Sequence, residues 1–152
     1  MQAILLELAP DGRLEHVEVA APAGLLTLHP EAAESELHGN VVRPSGIEHV
    51  SLAWSPDHVL VAVASPASAV VAVARLKARV GVGESALCPV VEVDVDVAVR
   101  QATWRAARLS VDRWQLGPAA GDAGLAVTVD ADGVIAGLHE ASGWPMETEP
   151  AS

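Results

Sequence analysis

Phenylalanine and tyrosine are absent, and four tryptophans are the only aromatic bulk in 152 residues. A core built without rings must be filled by Val, Leu, Ala and Ile, whose β-branched members favour strands over helices. Positive charge is also scarce. Nine Lys and Arg against twenty Asp and Glu give a formal charge of −11, which repels phosphate backbones and anionic membrane surfaces. Nucleic acid is therefore not an expected partner. The single cysteine, Cys88, has no partner for an internal disulfide and lies in the apolar run ALCPVVEV. This context suits a buried, inert thiol in a reducing compartment.

Long apolar runs are missing as well. The N-terminal MQAILLELAPDGR has no basic leader and breaks at Glu7, which argues against a signal peptide. HVLVAVASPASAVVAVARLKARV is interrupted at Ser65 and Pro66, short of the ~18 uninterrupted apolar residues that mark a membrane span. A cytoplasmic chain with no membrane span is expected.

What is present is a succession of short apolar segments divided by turn residues. Apolar residues make up 51% of the chain, and its length suits a single domain, read as residues 1–146, with the acidic METEPAS end (147–152 in particular) as a disordered tail. AILLEL and RLEHVEVA flank APDG and form a hairpin, with Leu14, His16 and Glu18 expected on one face and Glu15, Val17 and Val19 on the other. LLTLHP is a third strand, followed by the polar loop EAAESE. LHGNVV and IEHVSLAW flank RPSG; with Val42 facing Ile47, Leu37 pairs with Leu52 and Gly39 with Val50. Val50, Leu52 and Trp54 are then buried, and His38, Asn40 and His49 share the opposite face.

One helix is expected, from Pro66 to Arg79. Ser65 suits the N-cap, Pro66 the first helical position, and Val70, Val73 and Leu76 form one stripe. After GVGES, the run CPVVEVDVDVAVR alternates as one long strand, Val91 to Val99 on one face and Glu92, Asp94 and Asp96 on a solvated acidic face. QATWRAARL, VDRWQL, GLAVTV and GVIAGLH follow, and so many short strands argue an antiparallel roll or barrel rather than a βαβ fold.

Motifs for chemistry are few. There is no G-x-S-x-G, Walker or G-x-G-x-x-G pattern. His38, Asn40 and His49 form a candidate polar site. A metal there would need a third ligand, and no H-x-x-x-H, C-x-x-C or nearby inward carboxylate supplies one, so no metal and no cofactor are expected. Asp130, Asp132 and Gly133 form D-x-D-G without the later ligands of a calcium loop and read as a hairpin turn.

Arg75–Leu76, the VGES of Val82 to Ser85, the DRW of Asp112 to Trp114, VTVDADGVI (Val127 to Ile135) and the Trp144–Pro145 pair resemble, in order and spacing, the glycolipid-binding family of spiral β-roll proteins. TLHP, LHGNVV and AWSPDH resemble its actinobacterial branch. The resemblance implies a mainly β fold, an antiparallel β-roll with its sheet wrapped around one α-helix, and non-enzymatic binding of a lipid or glycolipid in the apolar interior. Trp54, Val70, Val73, Trp104 and Trp114 are the expected ligand contacts. Two other readings stand beside it: a homodimeric interaction protein with a filled core, and a small hydrolase or isomerase using His38 and His49.

Overall fold

The computed structural model describes residues 2–11, 13–33, 35–62, 66–121, 123–132 and 135–142. The expected 147–152 tail lies outside them, as do the Ser65 cap, Trp144 and the side chain of Val70. The fold is mainly β. Strands β1 (Ala3–Leu8), β2 (Leu14–Ala21), β3 (Gly24–Pro30), β4 (Glu36–Arg43) and β5 (Gly46–Ala53) form an antiparallel meander in that order. Then come β6 (Val59–Ala62), helix α1 (Pro66–Leu76), β7 (Ser85–Val93), β8 (Val99–Arg108), β9 (Arg113–Pro118), β10 (Ala123–Val129) and β11 (Ile135–Ser142). These six strands make a second sheet in the order β11-β10-β9-β8-β7-β6.

The β4–β5 hairpin has the register read from RPSG: Val42 faces Ile47, Leu37 faces Leu52, and Gly39 faces Val50. β2 departs from simple alternation. A bulge puts Leu8 opposite Leu14 while Glu7 still faces His16, so Leu14 turns inward with Val17 and Val19 instead of lying with His16.

The expected antiparallel pairing has one exception among the described strands: β6 and β7 pair in parallel, with α1 between them. Parallel strands need such a crossover, and they are normally covered on both faces. Every residue of β6 is buried. Val59 and Val61 face α1 together with Cys88 and Val90, whereas Leu60 and Ala62 join Val91 and Val93 against the five-stranded sheet. The helix thus covers one face of the second sheet and the meander covers the other. A single sheet wrapped around the helix is replaced by two sheets and one short helix.

α1 stops at Leu76, short of the expected Arg79. The N–H groups of Arg79 and Val80 both bond back to the Leu76 carbonyl, which tightens the last turn and buries Val80.

The run CPVVEVDVDVAVR is two strands, not one. The Asp94 carboxylate accepts from the N–H groups of Asp96 and Ala98 and folds residues 94–98 into the β7–β8 turn, leaving Val95 exposed. Val97 sits there at φ 58° with its side chain fully buried. The backbone strain of about 1–3 kcal/mol is offset by the roughly 1.5–3 kcal/mol of burying its side chain between the sheets.

Glu92 is likewise not part of a solvated face. It is 3% exposed and directly opposite Arg100. One carboxylate oxygen accepts the indole N–H of Trp104, and the other accepts Arg100 Nε at 2.6 Å. The Arg100 side chain is mostly in solvent, so Trp104 is the buried partner. Trp104→Phe strips one donor from a desolvated carboxylate and is expected to cost about 2–3 kcal/mol in urea unfolding, against about 1 kcal/mol or less for Arg100→Gln.

Candidate functional site

Burial of Val17, Val19, Leu26, Leu28, Leu37 and Val41 fixes the inner face of the meander, and alternation puts the polar residues outside. His38, Asn40 and His49 share this outer face, as read from the sequence. Asn40 lies opposite His49, and the amide oxygen meets His49 Nδ1. His38 lies opposite Ser51 on one side and His29 on the other. The Val17–Leu28 pair sets His16 beside His29 one residue further along, so four of the six histidines occupy one sheet face.

The carboxylates missing from the sequence reading come from the β3–β4 loop, which supplies Glu31, and from the first residue of β4, Glu36. Glu31 Oε1 lies 2.9 Å from His38 Nε2, and Glu36 Oε2 lies 2.8 Å from the same atom. The signal was present as Glu36-x-His38, since residues two apart on a strand share a face. Glu31 could not be placed without knowing that the EAAESE loop folds back, its Glu31 N–H donating to the Glu36 carbonyl at 2.9 Å. At Gly39, a Cβ would sit 1.7 Å from the Thr27 carbonyl oxygen; only glycine lets β3 and β4 approach closely beside this cluster.

Trp54, Trp104 and Trp114, the described tryptophans, do not gather at one site. Trp54 packs between the sheets with Leu60, its ring under the Arg75 guanidinium at 5.7 Å and 5.4 Å from the His58 ring. Trp104 is in the other core, bonded to Glu92. Trp114 and Val73 do come together. They form part of a cleft of about 700 Å³ between α1, the β8–β9 turn and the β10–β11 turn. Val73, Trp114 and Val129 are its buried floor, and Ala74, Val111 and Ala131 are its exposed apolar edge. Lys77, Asp112, Asp130 and Asp132 form the charged rim.

The cleft walls are held by specific bonds. Val129 N–H donates to the Asp112 carbonyl at 2.8 Å, joining the two turns. Ser110 Oγ donates to Asp112 at 2.7 Å, and Asp130 accepts from Asp132 N–H at 2.9 Å where the chain passes from β10 to its antiparallel neighbour β11, the place read as a hairpin turn; Gly133 lies outside the described residues. Behind the cleft floor, the Arg108 guanidinium lies over the Trp114 ring at 5.3 Å. Cys88 is buried, and that burial raises its thiol pKa, so it is a poor nucleophile.

No protein-family model matches the chain, and no curated protein matches it. The structure is similar to the crystal structure of a DUF1089 family protein from Pseudomonas aeruginosa, with a TM-score of 0.58 and 14% identity, over 99% of this chain and 92% of that one. The two share a fold. At that identity the likeness carries no function across. No helix among the described residues is long and apolar enough to cross a membrane.

His58 adds a pH response. Burial of its ring lowers its pKa from the ordinary 6.5; the Asp57 carboxylate opposes this and Arg75 reinforces it. The unfolded chain therefore takes up the proton first as pH falls, so the stability His58 contributes is complete above about pH 6.5 and is lost below it. His58→Gln is expected to show a smaller drop in Tm between pH 7.5 and 5.5 than the parent chain.

Proposed function

We propose that the chain binds, without chemistry, a neutral amphipathic ligand of the lipid or glycolipid class in the cleft between α1 and the β8–β9 and β10–β11 turns. The observation that carries this reading is the cleft itself. Its volume of about 700 Å³ falls within the range of small-molecule sites, and it sets an apolar floor next to a polar rim. The resemblance to the glycolipid-binding family supports the same class of ligand. The place differs from the one first expected, because Trp54 and Trp104 are committed to the two cores and Val73 and Trp114 alone of the described candidates reach the cleft.

The rim selects the head group. Asp112, Asp130 and Asp132 offer carboxylate oxygens that accept from hydroxyls, whereas only Lys77 is cationic. A polyhydroxyl head fits this rim; a phosphate head would face three like charges and the overall −11. About eight methylenes against the floor would give roughly 6 kcal/mol before the costs of association, so a Kd of tens of micromolar is the tightest that this apolar contact alone supports. With a fluorescent neutral glycolipid analogue, Ala74→Trp is expected to fill the cleft from the exposed side of α1 and weaken binding at least about tenfold with little change in Tm. Equal binding by the variant, or preference for an anionic phospholipid analogue, would contradict the assignment.

One observation favours the homodimer as a second reading. Ala3, Ala20, Leu25, Val42 and Ile47 are register neighbours in a row across the outer face of the meander, and all are exposed. Light scattering decides it: a monomer mass at high micromolar concentration removes the dimer, and an Ile47→Lys variant should dissociate one that forms.

A further inference from the structure

We infer that Glu31, Glu36 and His38 are ligands to one divalent transition-metal ion of the zinc type, with His29 as the fourth. Oε1 of Glu31, Oε2 of Glu36 and Nε2 of His38 lie within 4.8 Å of one another. The site is distinct from the cleft, on the outer face of the five-stranded sheet.

Hydrogen bonding does not account for this arrangement. His38 Nε2 is shielded from solvent and makes no hydrogen bond of acceptable geometry, although two carboxylate oxygens stand within 3 Å of it. One ring nitrogen can aim its lone pair or its proton in one direction only. Two anionic oxygens flanking that direction repel each other, and a cation between the three atoms would satisfy all of them at once.

The donors are also well anchored. Glu36 and His38 lie two residues apart on β4 and project from the same face. Glu31 is pinned by its backbone bond to Glu36. His29 is directly opposite His38 across the β3–β4 pair, where cross-strand Cβ atoms are about 4.5–5.5 Å apart, so a rotamer change brings its imidazole to the ion.

Ligand type selects the metal. Imidazole nitrogen with carboxylate oxygen suits Zn²⁺, Co²⁺ or Ni²⁺; Ca²⁺ and Mg²⁺ prefer all-oxygen shells, and the one thiol, Cys88, is buried in the other core. Two carboxylates and two neutral imidazoles leave a neutral complex with a divalent ion. The side chains of Glu31 and Glu36 are about half exposed, which leaves a path for the ion to enter.

The test is calorimetric titration of ZnCl₂ into the chelator-treated full chain. One ion per chain is expected, with Kd on the order of 10 µM for a half-exposed site without thiolates, and Mg²⁺ should not compete. His38→Ala and Glu31→Gln should each weaken binding about tenfold or more, while His139→Ala, on β11 of the other sheet, should leave it unchanged. Circular dichroism checks the fold of His38→Ala; if it fails to fold, Glu31→Gln in the loop decides. Co²⁺ should give the visible bands of a four-coordinate site, lost in His29→Ala. No binding up to millimolar Zn²⁺, which would leave His38 as a plain ion-pair partner of the two glutamates, overturns the site. So does binding that survives both His38→Ala and Glu31→Gln, which would mark scattered surface histidines.

Discussion

Burial of both faces of the β6–β7 pair is the constraint on which the rest of the structure depends. Val59, Val61 and Val90 belong to the core under α1, and Leu60, Ala62, Val91 and Val93 belong to the core under the meander. Two cores share one pair of strands. The parallel pairing forces the crossover through α1, and the crossover places Val73, Ala74 and Lys77 opposite Trp114 and the β10–β11 turn. On the other side, the same strands give the meander the apolar layer it needs, so its histidines and glutamates are turned outward. The cleft and the polar face are both consequences of this layering.

Elements with strict alternation and a clear turn were legible in the sequence. RPSG was enough to set the register of the β4–β5 hairpin and the face shared by His38, Asn40 and His49. The parallel pair was not legible, because a four-residue strand buried on both faces is a plain apolar run with no period to read. VEVDVDVAV misled for the opposite reason. Its period of two continues through the turn, and only the local bonds of Asp94 show where the chain reverses.

Non-local partners explain the remaining differences. Glu92 looks like its neighbours Asp94 and Asp96 until Trp104, twelve residues away, is seen to donate to it from the adjacent strand. Glu31 joins His38 only because the loop folds back on itself. Of the expected ligand contacts, Trp54 and Trp104 became core residues, because a chain without Phe or Tyr spends its few large side chains on filling space. Trp114 fills space as well, yet its position beside the β10–β11 turn makes it the floor of the cleft.

Charge separates the two candidate surfaces. The cleft has an acidic rim over apolar side chains and suits a neutral head group, while the outer face of the meander gathers imidazoles with carboxylates and suits a cation. The most direct measurement for the cleft is a methyl and indole NMR titration with a neutral alkyl glycoside below its micelle concentration. Saturable shifts confined to Val73, Val111, Trp114 and Val129 are predicted, with the Trp54 indole unmoved. Shifts spread over both cores, shifts confined to the Ala3–Ala20–Leu25–Val42–Ile47 row, or none at millimolar glycoside would contradict ligand binding in the cleft.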